Sequence, residues 1–329
     1  MLRFHTLVLS SDNSIKQGLR RLGVAISSHM EFVDGPAALA ERPAGPLDLV
    51  IIDQRQSGGF SGVGQSGGAV QQSGGAAFFD ALPPLTRLIY LVDDNQLVTR
   101  LDLFQRERTA SVLCCRGALD EEELIATATK LLRGELFGLQ KYLPWGVTTF
   151  TVEVHSYEEK DRALHVMTES AALAGWRGPL RERIQLVCDE LMMNALYHAP
   201  IDATGKRRNE GRNIKDLVGQ DLAPIQAQYG SSGRYFGIAV RDGFGSLSRE
   251  QLLTYLLKAR TVPAEVEDKA SGAGLGLVMV LRSASKLIFN LAPGNATEVI
   301  ALFDRELLSK GHVGARALGH AAQPHQRRV

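Results

Sequence analysis

The strongest constraint on this chain's fold is a rhythm across residues 1–140, where short apolar runs alternate with helix-like segments. Leu47–Asp53 (LDLVIID) is apolar along nearly its whole length, the pattern of a strand covered on both faces. Phe4–Ser10, Val24–Phe32, Leu88–Val92 and Ser111–Cys115 supply four more strands. Ile15–Leu22, Pro36–Glu41 and Leu119–Leu132 read as helices. The last carries Glu121–Glu123 in its first turn, where carboxylates complement the helix dipole. Five strands with intervening helices predict an α/β fold class, a doubly wound parallel sheet. One stretch breaks the rhythm. Residues 57–75 hold eight glycines, four serines, three glutamines and no charge, which predicts a flexible low-complexity loop.

A chain of 329 residues has room for about two domains. Leu143–Gly146 (LPWG) reads as the boundary, dividing the chain into domains over 1–140 and 147–305. In the second, Thr148–Val154 alternates as an edge strand does, and Glu158–Ala174 reads as a helix. Another helix starts near Pro179, with Leu180, Ile184, Val187 and Leu191 at helical spacing. Asp202–Gly233 is polar, carries Lys206, Arg207, Arg208 and Arg212, and reads as a long insertion. Strands follow at Tyr235–Val240, Leu287–Leu291 and Thr297–Phe303, with helices at Leu247–Ala259 and Leu277–Ser285 and a loop at Thr261–Ser271. Residues 306–329 have no acid after Glu306 and few core-forming side chains, and are expected to be a disordered tail.

Composition excludes several function classes. Lys and Arg total 37 against 36 Asp and Glu, so there is no bulk attraction to nucleic acid or an acidic membrane. No apolar run approaches the ~18–20 residues needed to cross a bilayer. Met1–Ser10 lacks a small-residue cleavage site and reads as a first strand rather than a signal peptide. The cysteines are Cys114, Cys115 and Cys188. An odd count whose only close pair is adjacent suits neither a disulfide framework nor a zinc site. They are read as buried reduced thiols of a cytoplasmic protein.

Three segments of the second half carry chemistry. In Cys188–His198 (CDELMMNALYH), Glu190, Asn194 and His198 are spaced four apart and share one helix face. A carboxylate and a carboxamide stacked in this way can hold magnesium, which prefers oxygen ligands and keeps several waters. Asp242-Gly-Phe-Gly245 follows a strand directly. Its aspartate can accept from an exocyclic amine, and Gly243 and Gly245 permit a sharp turn or close approach to a ligand. Ser271–Leu277 (SGAGLGL) opens a helix, where backbone N–H groups can cradle phosphate. It matches no P-loop, and it follows a long loop rather than a strand, unlike a dinucleotide fingerprint.

Taken together and in this order, the segments give residues 147–305 a resemblance to the GHKL family of ATPases, which includes histidine kinases, gyrase-type topoisomerases, the Hsp90 chaperone and anti-sigma-factor serine kinases. Glu190 and Asn194 match the family's N box, Asp242–Gly245 its first glycine box, and Gly272–Gly276 its second. Gly294-Asn-Ala-Thr297 resembles its late turn, whose threonine lies near adenine. The resemblance implies a two-layer α/β sandwich (the Bergerat ATP-binding fold) that takes ATP and Mg2+. It implies magnesium on Asn194, the adenine amine on Asp242, and phosphates on Gly272, Gly274 and Gly276. Glu190 becomes the general base, and residues 246–271 the lid. The closest likeness is to the anti-sigma-factor serine kinases. Residues 133–150 leave no room for the phosphorylatable helical hairpin of a sensor histidine kinase. Two departures stand out. Tyr197 occupies a position where many relatives carry Lys or Arg, and the insertion separates the first two boxes.

The first half resembles a response-regulator receiver domain, with Asp53 ending the third strand where the phospho-acceptor sits. The rest of that site departs from the pattern. Ser10 and Ser11 stand in place of the acidic pair, the fourth strand reaches Val92 instead of Thr or Ser, and Cys115 and Arg116 replace the fifth-strand Lys. A pseudo-receiver is expected, serving protein contacts or homodimerisation. The combined expectation is a signalling regulator that transfers the ATP γ-phosphate to Ser or Thr of a protein partner, such as one resembling an anti-sigma antagonist. The alternative is a non-catalytic switch whose lid, ordered by ATP, binds or releases a partner. A chaperone- or topoisomerase-like ATPase would carry a further transducer domain after Phe303.

Overall fold

The computed structural model describes residues 3–34, 45–55, 82–93, 102–106, 108–115, 119–213, 217, 223–261, 275–309 and 316–321. It divides into two compact units, Met1–Leu136 and Phe137–Val329, so residues 137–140 and the expected boundary Leu143–Gly146 belong to the second. The expected helix Pro36–Glu41 and the glycine-rich stretch 57–75 lie outside the described residues.

The first unit holds strands β1 (Phe4–Leu9), β2 (Ser28–Val33), β3 (Leu49–Asp53), β4 (Arg87–Asp93) and β5 (Thr109–Cys115). All pair in parallel, in the order β2-β1-β3-β4-β5. This is the flavodoxin-like order, whose switch point lies between β1 and β3. β3 is buried throughout, as its unbroken apolar run requires. Leu49, Val50, Ile51 and Ile52 are each fully buried, which stabilises the fold by about 2 kcal/mol per side chain. Helix α1 (Asn13–Ala25) is capped by Asp12, which accepts from the Ser14 and Ile15 N–H groups. A short helix α2 covers Asp102–Gln105. In α3 (Glu121–Arg133), Asp120 caps the N-terminus, three glutamates fill the first turn, Lys130 and Arg133 the last, and Gly134 at φ 72° ends it.

The second unit is a sheet under a layer of helices. Its strands are β6 (Thr149–Val154), β7 (Ile225–Ser231), β8 (Tyr235–Asp242), β9 (Lys286–Ala292), β10 (Ala296–Asp304) and β11 (Arg316–Ala321). They run in the order β11-β9-β10-β8-β7-β6, antiparallel except for the parallel β11–β9 pair. Helices α4 (Tyr157–Leu173), α5 (Pro179–Met193), α6 (Arg249–Thr261) and α7 (Leu275–Ser283) pack on one another, and α5 reaches β8 and β10. Short helix α8 spans Arg305–Ser309. Buried Trp176 meets Phe236 edge-on at 6.2 Å and lies under the Arg305 guanidinium at 4.7 Å.

Two expectations are corrected here. The insertion does not run through Gly233, because β7 occupies its last third. Ile225, Ala227 and Tyr229 alternate inward between Gln226 and Gln228, so three apolar side chains suffice for a strand held between β6 and β8. Residues 306–329 are not wholly a tail. α8 completes its first turn at Leu308, which is buried, and β11 pairs with β9 from Arg316 to Ala321. That strand draws its order from a neighbour's ladder rather than from its own apolar content.

The sheet's two faces do different work. On β8 and β10, Asp242 pairs with Thr297 and Arg241 with Glu298. Glu298 is buried and accepts from the Gly138 N–H at 3.0 Å and from Asn290 Nδ2 at 2.7 Å. The Arg241 guanidinium lies 4.1 Å from the Phe137 ring centroid. The start of the second unit is thereby fastened to the strands that carry Asp242 and Thr297. Glu298→Gln turns an amide toward these donors and is expected to cost about 1–2 kcal/mol, measured by urea unfolding. An unchanged midpoint contradicts this fastening.

Candidate functional site

One cavity of the second unit, of about 530 Å³, collects residues from segments far apart in sequence. Glu190, Asn194, His198, Asp242, Gly276 and Thr297 all line it. Gly243 and Gly245 do not line it; they follow Asp242 in the turn after β8. Gly272 and Gly274 lie outside the described residues.

The sheet forms one wall. Val240 and Asp242 of β8, Phe289 of β9, and Thr297 and Val299 of β10 face the cavity, giving an apolar floor with one carboxylate at its edge. Asp242 is buried, and its Oδ1 accepts from the Phe244 N–H at 2.8 Å and the Gly245 N–H at 3.1 Å. Both of these bonds go to one oxygen. Burial raises the Asp242 pKa, and these N–H groups and Thr297 oppose the shift. The Thr297 hydroxyl is close enough to contribute, yet it meets no partner at hydrogen-bond geometry among the described residues. A buried acceptor beside an orphaned hydroxyl fits a ligand that carries both a donor and an acceptor.

The two glycines of Asp242–Gly245 differ in what they require. Gly245 sits at φ 59°, and a Cβ there would overlap the Ala292 carbonyl oxygen and the backbone nitrogens of Gly294 and Asn295. Its carbonyl accepts from the Gly294 N–H at 3.2 Å, joining this turn to the β9–β10 turn. At Gly243 a Cβ would meet nothing among the described residues, so no contact among them explains the glycine.

The helices form the other wall. α5 passes at Asn194 into a π turn over Asn194–His198, closed by the Ala199 N–H donating to the Asn194 carbonyl at 2.8 Å. The wider turn still brings Glu190, Asn194 and His198 to one cavity, as the spacing of four anticipates. Glu190 lies against the first turn of α7. A Cβ at Gly276 would run into its carboxylate, so the glycine makes room for the acid. Burial raises the Glu190 pKa and neighbouring Asp189 adds to it, while Lys160 opposes. Burial, then the charge of Arg207, lowers the His198 pKa, so this imidazole is neutral at pH 7. From α6, Gln251 and Tyr255 reach the cavity, within the segment expected to be a lid.

Some residues were not singled out in the sequence. Lys160 is buried at 2 % exposure and donates to Asp161 at 3.0 Å and to Asp189, the residue beside Glu190. Its signal was legible, because Lys160, Ala163, Met167 and Ala171 form the buried stripe of α4, where a lysine demands a partner. Tyr197 does not line the cavity. Its hydroxyl donates to the Arg212 carbonyl.

In the first unit, Asp53 is buried at the C-terminal end of β3. Ser10 Oγ donates to its Oδ2 at 2.8 Å. Arg55 Nε donates to Oδ1 at 3.0 Å, and Nη2 approaches Oδ2 at 3.3 Å and Asp12 at 3.4 Å. Both carboxylate oxygens are therefore engaged by the chain's own donors. Burial pushes the nearby Cys115 thiol up to about 11, so it stays protonated at neutral pH.

No protein-family model matches the sequence, and no curated protein matches it. Several solved structures align. A response-regulator receiver domain from Clostridium thermocellum aligns at 12% identity over 40% of this chain and 97% of its own, with a TM-score of 0.31. The SiaB–SiaC complex from Pseudomonas aeruginosa aligns at 13% identity over 48% of this chain and 89% of that chain, with a TM-score of 0.35. The RcsB response regulator of Salmonella typhimurium aligns at 14% identity over 57% and 93%, with a TM-score of 0.30.

Proposed function

We propose that the second unit binds ATP with magnesium and transfers its γ-phosphate to a Ser or Thr hydroxyl of a protein partner. The observation that carries this reading is that residues singled out from separate segments, Glu190, Asn194, Asp242, Gly276 and Thr297, line a single cavity. Its volume suits a small-molecule site, for which about 300–1,000 Å³ is usual. The donor set fits the ligand as well. Asp242 is a buried acceptor for an exocyclic amine, and Val240, Phe289 and Val299 offer a flat apolar floor to a base. Asn194, with Glu190 one turn away, supplies the few oxygen ligands that magnesium takes from protein when phosphates and water provide the rest. Magnesium would neutralise charge on the transferring group.

The chain's own residues then have distinct tasks. Asp242 and Thr297 select and hold the base. Asn194 would hold the magnesium ion beside the phosphates. Glu190, with its pKa raised by burial, accepts the proton of the attacking hydroxyl. The first unit, with Asp53 tied to Arg55 and Ser10, serves protein contacts instead of phosphorylation.

ADP formation from ATP by the full chain, with water accepting the phosphoryl group in place of the partner hydroxyl, with and without magnesium, tests the catalytic part. Slow magnesium-dependent turnover is expected, and Glu190→Gln should reduce it by about 100-fold or more while ATP affinity stays nearly constant. Binding without turnover in the wild type selects the non-catalytic switch instead.

A further inference from the structure

The cavity carries two carboxylates, Glu190 and Asp242, and among the described residues that line it Arg207 is the only Lys or Arg. A polyanionic ligand requires positive charge, and Tyr197, whose hydroxyl donates to the Arg212 carbonyl, does not line the cavity. Arg207 comes instead from the insertion, and the local structure explains how it gets there. Ile201 and Arg207 form an antiparallel bridge across a tight turn. Asp202 Oδ1 closes that turn by accepting from the Thr204 N–H at 2.8 Å and the Lys206 N–H at 3.0 Å. The Asp202 N–H donates to the Lys206 carbonyl at 2.9 Å, and Gly205, at φ 83°, supplies the left-handed residue the turn needs. Alternation along the bridge places Arg207 on the cavity side with Ile201, while Lys206 is exposed.

The base of this hairpin is also fixed. The Arg208 N–H donates to the Pro200 carbonyl at 3.0 Å, Arg208 Nε to the Ile201 carbonyl at 2.8 Å, and buried Asn209 donates to the Tyr197 carbonyl at 3.3 Å. The Arg207 side chain makes no hydrogen bond or ion pair among the described residues, although it is half-buried and its charge is felt by His198. A guanidinium with no partner among the described residues, held by this hairpin against an acidic cavity, is suited to bidentate contact with phosphate.

We propose that Arg207 is a phosphate-binding residue of this cavity, delivered by the 201–207 hairpin. The inference rests on the nucleotide reading above and deepens it.

Calorimetry on the full chain with adenosine and with ATP separates the two. Arg207→Ala should weaken ATP binding at least tenfold, leave adenosine affinity unchanged and reduce the salt dependence of ATP binding. Arg207→Lys should recover part of the loss, since it restores the charge without the fork. Lys206→Ala, one residue away on the exposed side, should change neither ligand's affinity. Equal losses for adenosine and ATP would overturn the proposal, because Arg207 would then shape the cavity and not hold phosphate. Undiminished ATP binding in Arg207→Ala would overturn it while leaving the nucleotide reading intact. Failure of the wild type to bind either ligand would defeat both.

Discussion

Asp242→Asn should reduce ATP affinity by at least ~100-fold while leaving the ligand-free fold at least as stable as wild type. The binding loss has two sources. A hydrogen bond to an ionised acceptor is worth about 1.5–3 kcal/mol, and the substitution presents an amide donor to the ligand's own donor. The turn survives, because Asn keeps an Oδ1 to accept from Phe244 and Gly245. The stability gain follows from burial, which raises the Asp242 pKa above its ordinary 3.8. The unfolded chain releases this proton at lower pH than the folded chain does. Between the two pKa values the folded state holds more protons, so stability falls as pH rises through that window. Asn escapes that penalty, and its advantage should be present at neutral pH and vanish below pH 3.8. Thermal unfolding across pH, with and without ATP, reads both effects. A variant that still gains stability from ATP to the wild-type extent removes Asp242 from the site.

Gly245→Ala should produce the largest loss of stability. At φ 59° any side chain costs about 1–2 kcal/mol. The added methyl would also meet backbone atoms of Ala292, Gly294 and Asn295, which cannot step aside as a side chain can. Displacing the β9–β10 turn brings the total to about 3 kcal/mol, or roughly 10 °C in the unfolding midpoint of the second unit. Gly243→Ala is the internal comparison. Its Cβ would meet nothing among the described residues, so the fold should hold. Equal stability of the two variants would contradict the steric account of this turn.

Much of the architecture was legible because it rests on period and on local chemistry. Leu47–Asp53 announced a strand buried on both faces, and Leu49–Asp53 is one. Asp242-Gly-Phe-Gly245 announced a turn after a strand, and Asp242 is both the last residue of β8 and the cap of that turn. The spacing of Glu190, Asn194 and His198 announced a shared face, although the chain completes it through a π turn. What escaped depends on distant partners. β7 has only Ile225, Ala227 and Tyr229 to mark it, and a ladder on each side holds it in place. β11 is ordered by β9. Arg207 was one of four basic residues in a polar stretch, and only the Ile201 bridge distinguishes it from Lys206. Lys160 stands on the buried stripe of α4, but its partner Asp189 comes from another helix.

The central claim is that the cavity holds ATP through magnesium on Asn194. Calorimetry of ATP binding to the full chain, with magnesium and with a chelator, tests it directly, alongside Asn194→Ala. The account predicts saturable binding that weakens sharply without magnesium, and an Asn194→Ala variant whose weak residual binding no longer responds to the metal. No binding at millimolar ATP, or binding that ignores both magnesium and Asn194, would contradict it.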